Sequence, residues 1–447
     1  MVEHKALNPL ASISNLEMDD LSEEKRNARE FATRFIDRRF TDATSMLADD
    51  GHEAIIDSFP DFLTEEGMDP ENVLEQYWWG LHGQYGEAKA VDELTVHDDT
   101  EVTVMFAFEN GTQTATLGLK GDSISEFSFT LAYEPPSYAD EDAFIEHEVT
   151  IDAEDVTLNG LLTAPEDRNP VPGVVLVHGA GVHDPDGTVD NSKILKDIAW
   201  RLATKGIASL RYEKRLANNE VPDNALTLDA VVTDDAVAAV DRLATVDDVH
   251  EDALFIAGHS QGGMCAPRIA DRHGGVAGVV NLDGSPNPNL NPEHADIIRY
   301  EFEIDGDLDE EQAAQLEEDR ETLRRIAEGE FDDDETIMGR PGVWHRSLGE
   351  YDPVSTASSL NVPMLALMTF SADEETQPEL AAFSRNRYET WRDADLPEGS
   401  RAECYMNVDH YFQSVTPPTT PLSLYFGGNV AENVIDDLNE WIQGVST

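Results

Sequence analysis

Positive charge is scarce in this chain. Its 447 residues include 30 Lys+Arg against 91 Asp+Glu, a formal net charge of -61. Lysine is the rarer cation: the last is Lys214, so more than half of the sequence has none. Nucleic acid is therefore excluded as a partner, because phosphate recognition rests on clustered Lys and Arg, and anionic membrane surfaces are repelled for the same reason. Cysteine is nearly absent. Cys265 and Cys404 are too few for a disulfide framework and are read as packing residues. No apolar run of about 18 residues, the length of a membrane-spanning helix, occurs, and the N-terminal stretch has no apolar leader-like segment. A soluble, cytoplasmic protein is expected.

What the chain has in quantity is apolar mass. With 40% hydrophobic residues, including 17 Phe, 11 Tyr and 6 Trp, it can bury large cores, which argues against disorder despite the charge. The acidic excess includes runs such as Asp332-Asp333-Asp334. At about 0.15 M salt the screening length is about 8 Å and such neighbours repel, whereas at about 1 M it is about 3 Å. The pattern is that of a halophile's protein.

The organisation changes along the chain. After a tail over 1–20, residues 21–132 show helical stripes, with Phe31, Ala32, Phe35 and Ile36 on one face, and then period-two alternation through Val102, Val104 and Phe106 and through Ala115, Leu117 and Leu119. This is expected to be a small α+β domain. The prolines of Tyr133-Glu134-Pro135-Pro136 favour extended chain and mark a linker over 133–143. Over 144–447, buried strand-like runs (173–178, 207–212, 253–258, 278–282 and 362–368) alternate with amphipathic stretches, which predicts an α/β fold with a doubly wound, mostly parallel sheet. Residues 284–350 interrupt the alternation with a charged helical stretch and an acidic loop, and are read as a helical lid insertion.

The strongest chemical signal is Gly258-His259-Ser260-Gln261-Gly262-Gly263, a G-x-S-x-G placed directly between a strand and a helix. That context predicts a tight turn presenting Ser260 as a nucleophile, with the helix N-terminus aimed at a developing oxyanion. Val177-His178-Gly179-Ala180-Gly181 ends the first buried strand. The backbone N–H groups of Ala180 and Gln261 are the expected oxyanion donors, and His178 is read as a structural loop residue. The chain order Ser, acid, His directs the search for a base downstream. His410 follows the last strand-like run and is chosen over His345 in the insertion. For the acid, Asp373 follows the run 362–368 and is chosen, with Asp283, at the end of the preceding strand, as the alternative. Ser260 would attack an acyl carbonyl and His410 would shuttle the proton, with no cofactor and no metal. His183-Asp184-Pro185-Asp186 is read as a polar loop rather than a metal site.

These residues carry a resemblance. From about Glu146 to Ile442 the chain resembles α/β-hydrolase carboxylesterases through His178-Gly179-Ala180-Gly181, Asp184-Pro185-Asp186, Leu210-Arg211-Tyr212-Glu213-Lys214-Arg215, the elbow with Gly263-Met264, and Tyr351-Asp352-Pro353-Val354. The N-terminal part is similar in pattern to the cone of nuclear-transport-factor domains fused to some of these esterases. The resemblance implies hydrolysis of short to medium acyl esters of small molecules, with Ser260, Asp373 and His410 as nucleophile, acid and base. It also implies an accessory role for the first domain, such as homo-oligomerisation. The acid loop departs from the family, because Thr369-Phe370-Ser371-Ala372 lacks the usual glycine before the acid. The elbow does not discriminate an esterase from a thioesterase or serine aminopeptidase. A non-catalytic scaffold with a decayed hydrolase domain is the remaining alternative, and the retained Ser, acid and His argue against it.

Overall fold

The structure is a computed structural model that describes residues 22–60, 68–98, 100–166, 170–288 and 290–446; the tail expected over 1–20 lies outside them. The chain forms two compact units that divide between Ala132 and Tyr133.

In the first unit, helices Glu23–Ile36, Phe40–Thr44, Asp49–Asp57 and Pro70–Tyr85 accompany a four-stranded antiparallel meander, β1 (Ala88–Asp98), β2 (Glu101–Phe108), β3 (Thr112–Lys120) and β4 (Ser123–Phe129). The helix Pro70–Tyr85 starts where its sequence dictates. Asp69 accepts from the Glu71 and Asn72 N–H groups, Asn72 reciprocates as a capping box, and Pro70 fills the first turn. β2 and β3 bury alternate residues, so that Val102, Val104, Phe106, Ala115 and Leu117 share a core with Phe31, Phe35 and Phe127.

The second unit is built on an eight-stranded sheet. Its strands are β5 (Phe144–Ala153), β6 (Val156–Pro165), β7 (Val171–Val177), β8 (Ala208–Tyr212), β9 (Val249–His259), β10 (Gly278–Leu282), β11 (Met364–Phe370) and β12 (Arg401–Met406). Across the sheet the order is β12-β11-β10-β9-β7-β8-β6-β5, parallel from β12 to β8 and antiparallel in the last two pairings. Its central strands read as unbroken apolar runs because both faces are covered. Val175, Val177, Leu254 and Ile256 point into one core, with helices Asp234–Ala244 and Gln261–His273, while Val174, Leu176, Phe255 and Ala257 point into the other, with helices Ile194–Thr204 and Glu432–Val445.

Residues 133–143, expected as a linker, are fastened to the second unit. Tyr133 donates to Asp197 (2.7 Å) and Tyr138 to the Val430 carbonyl (2.6 Å). The insertion between β10 and β11 carries helices Ala295–Phe302, Glu310–Glu328 and Gly342–Gly349, and docks on helix Pro378–Arg392 through Arg299 and Glu379 (2.5 Å). No described helix is long and apolar enough to cross a membrane.

The loop after β8 is pinned by Arg215, whose guanidinium meets the almost fully buried Asp235 at 2.5 and 2.9 Å and the exposed Asp155 at 3.3 Å. Breaking a buried pair from one side leaves an uncompensated charge. Asp235→Ala is therefore expected to cost about 3–5 kcal/mol in denaturant unfolding, and Asp155→Ala less than about 1 kcal/mol.

Candidate active site

Ala180, Ser260, Gln261, Asp283, Asp373 and His410 all follow parallel strands at their carboxyl ends, where α/β sheets place their ligands, whereas His345 lies on helix Gly342–Gly349 of the insertion. Ser260 follows β9 and has φ 54° and ψ -116°. This strained, left-handed turn is held by the Ser260 N–H on the Leu282 carbonyl (2.8 Å) and the Met264 N–H on the Ser260 carbonyl (2.9 Å). Two glycines are obligatory beside it: a Cβ on Gly258 would lie 2.1 Å from the Gly262 carbonyl oxygen, and one on Gly262 would lie 2.4 Å from that of Val177. The same close approach brings in the loop after β7. A Cβ on Gly179 would stand 3.2 Å from the Ser260 Cβ. Gln261 opens the following helix, so its N–H has no intrahelical acceptor.

His410 lies on the loop after β12. Its Nδ1 is 2.5 Å from Asp283 Oδ2, and its ring centroid is 4.7 Å from that of His259, the neighbour of Ser260. His259 is buried, which together with His410 lowers its pKa to about 3, so it is neutral and its Nε2–H donates to the His410 carbonyl (2.8 Å).

The acid expected at Asp373 is a correction: the carboxylate at His410 belongs to Asp283. Asp373 sits half-buried in the loop after β11, where Oδ1 accepts from the Glu375 N–H (3.0 Å), the Thr376 N–H (2.8 Å) and the Thr376 hydroxyl (2.9 Å). It is used up in a local Asx turn that leads into helix Pro378–Arg392. Asp283 directly follows β10, the strand beside the elbow strand, with φ 54°. Its Oδ1 accepts from the Thr369 N–H (3.1 Å), and Arg387 donates to its carbonyl oxygen (2.5 Å) and lies 3.3 Å from the carboxylate. Burial alone would raise its pKa, but Arg387, His410 and the Thr369 amide outweigh it and hold Asp283 ionised, at about 2.

The other sequence candidates have structural partners. His345 Nε2 meets the Ile337 carbonyl (3.0 Å). His178 packs on Tyr212 and His183 and is kept neutral by burial. Asp186 pairs with Lys193 (2.9 Å) and Arg211 (3.1 Å), and Asp184 caps Thr188. No cluster of three His, Cys, Asp or Glu able to hold a metal occurs among the described residues.

Sequence reasoning missed three residues: His259, Arg387 and Lys214. The Lys214 Nζ, buried after β8, donates to the Gly179 carbonyl (2.6 Å) and to the Gln261 Oε1 (3.0 Å). Its persistence as the last lysine of an arginine-preferring chain was a usable signal.

An eight-stranded, mostly parallel sheet with a serine elbow after a central strand defines an α/β-hydrolase. No protein-family model matches the chain. It is 30% identical over 311 residues to esterase EstD of Thermotoga maritima, which covers 69% of this chain and 70% of that protein. The chain belongs to that family of α/β-hydrolase esterases and is a carboxylic ester hydrolase. Among solved structures it is similar to Est1E from Butyrivibrio proteoclasticus, with 15% identity, a TM-score of 0.41 and coverage of 67% of this chain and 98% of that one. A Pyrobaculum calidifontis esterase matches with 15% identity, a TM-score of 0.42 and coverage of 68% and 86%.

Asp409, next to His410, supplies a test of the site's electrostatics. Its Oδ1 accepts from the Tyr411 and Gln413 N–H groups (both 2.9 Å), but Oδ2 is buried without a partner. Burial raises its pKa from 3.8 to about 7 against those two bonds. The native state thus holds a proton that the unfolded chain releases, so this group's contribution is complete below about pH 4 and is lost as the pH rises through about 7. Asp409→Asn is expected to gain a few degrees in Tm over the wild type at pH 9 and little at pH 5. Parallel Tm profiles for the two proteins would refute the assignment.

Proposed function

We propose that the protein hydrolyses short to medium acyl esters of small molecules through Ser260 as nucleophile, His410 as general base and acid, and Asp283 as the carboxylate that orients the imidazole. The hydrogen bond from His410 Nδ1 to Asp283 carries this reading, because it leaves Nε2 as the ring nitrogen free to take a proton from Ser260. As Ser260 Oγ bonds to the ester carbonyl carbon, its proton passes to His410 and the carbonyl π pair moves onto oxygen. The N–H groups of Ala180 and Gln261 would receive that oxyanion, each worth about 3 kcal/mol. Collapse of the intermediate breaks the bond to the alkoxy oxygen, which leaves as the alcohol with the proton from His410. Water, deprotonated by His410, then cleaves the acyl-enzyme by the same sequence. Asp283 stabilises the imidazolium in both halves and stays ionised. The resemblance of the motifs supports the acyl range, and the insertion that follows Asp283 in the chain is read as a lid.

The acid assignment is tested by Asp283→Asn, expected to lower kcat on p-nitrophenyl esters about 10⁴-fold, beside Asp373→Asn, expected to stay within about 3-fold because its carboxylate serves only a turn. Ser260→Ala should abolish hydrolysis. The reverse order for the two aspartates would return the role to Asp373. The acidic surface supports a protein of a high-salt cytoplasm: activity and Tm should both rise between about 0.15 M and about 2 M KCl as screening shortens. A salt-independent Tm would count against that habitat.

A further inference from the structure

The structure assigns Lys214 a part in the reaction that rests on the serine-esterase reading: we propose that its ammonium is the positioning group of the oxyanion hole, gripping the carbonyl of the peptide that carries one backbone donor and the side chain of the residue that carries the other. The two bonds end at chemically telling places. The Gly179 carbonyl, 2.6 Å from Nζ, belongs to the peptide group whose nitrogen is Ala180 N–H. In a trans peptide the carbonyl and the N–H point in opposite directions, so gripping the oxygen fixes the direction of the N–H and polarises it as a donor. That peptide lies beside the nucleophile, since a Cβ on Gly179 would be 3.2 Å from the Ser260 Cβ. The second bond, 3.0 Å to Gln261 Oε1, fastens the side chain of the residue whose N–H is the other donor.

The charge itself is the second observation. Lys214 is 1% exposed, and both its hydrogen-bond acceptors are neutral; no carboxylate pairs with it among the described residues. A buried cation without a counter-ion is costly in the resting protein. Here its negative partner arises during the reaction: the oxyanion forms at the far side of the peptide that Lys214 polarises. An interaction that strengthens only when that charge develops lowers the barrier rather than the ground state. The chain otherwise favours arginine, yet a guanidinium would not fit a site that holds one compact ammonium between a carbonyl and an amide.

The test uses Lys214→Met and Gln261→Met in the full chain, with three readouts: kcat and KM on a p-nitrophenyl ester, the affinity of an aryl trifluoromethyl ketone, and Tm. The ketone reports the oxyanion directly, because Ser260 Oγ adds to its carbonyl carbon and the π pair remains on oxygen. Lys214→Met is expected to lower kcat and ketone affinity together by about 10²-fold with KM within about 3-fold, while Tm holds or rises because a methionine needs no counter-ion. Gln261→Met, which keeps its backbone N–H, should lose about 10-fold in the same two quantities. A merely structural lysine would instead lower Tm and leave ketone affinity tracking the substrate. Wild-type kcat and ketone affinity in Lys214→Met, or in Gln261→Met should the first variant not fold, overturn the inference. If the wild type itself fails to bind the ketone and Ser260→Ala stays active, the serine mechanism has failed instead.

Discussion

The site depends on how closely the backbone packs at the end of the central strands. Around Ser260, atoms of neighbouring segments fill the space that side chains would need. A Cβ on Gly258, Gly262 or Gly263 would fall within 2.4 Å of another residue's atoms, and one on Gly284 would lie 2.2 Å from the Met264 nitrogen. This packing leaves Ser260 in a left-handed conformation that serine does not choose by itself. It also presses the loop after β7 against the elbow. The positions of Ser260, of the loop after β7 and of Asp283 are thus consequences of one local constraint: β9 lies between β7 and β10, and the three strands end together.

Electrostatics then sorts the buried groups by protonation state. Asp283 is almost fully buried yet ionised, because Arg387 and the Thr369 amide accompany His410 around it. His259 and His178 are buried and held neutral, first by burial itself and then by a neighbouring cationic or titratable group, His410 for His259 and Lys214 for His178. Arg387 has a second effect. It also donates to the Asp283 carbonyl oxygen (2.5 Å), so the same guanidinium fixes the backbone of the residue whose carboxylate it accompanies.

Much of this was legible in the sequence, and what was not has a physical reason. The elbow could be read because its glycines and serine are contiguous and their constraint is local. His410 could be chosen as the candidate base because it follows the last strand and the chain order limits the choice. The acid was not decided by the same logic, since Asp283 and Asp373 each follow a buried strand. What separates them is lateral: β10 borders the elbow strand and β11 does not, and strand order is a tertiary property. A local clue was present. Asp373 stands three residues before Thr376 and five before Pro378, a spacing that suits an Asx turn feeding a helix and leaves the carboxylate occupied. Lys214 and Arg387 were hidden for another reason, since each acts on a partner far away in sequence, Gln261 and Asp283.

Part of the charge of -61 lies on exposed helix faces. In helix Glu310–Glu328 only Leu316, Leu323 and Ile326 are buried, and its arginines are spent on acidic neighbours, as where Arg324 meets Glu321 at 2.8 Å. Such exposed pairs add little stability individually, but they confine the repulsion to groups that salt can screen. At the elbow, concentrated salt has little access: Lys214 and Asp283 are each 1% exposed, and their partners are fixed by the fold. The buried Lys214 ammonium answers to a carbonyl and an amide oxygen, acceptors that the fold holds in place whatever the salt.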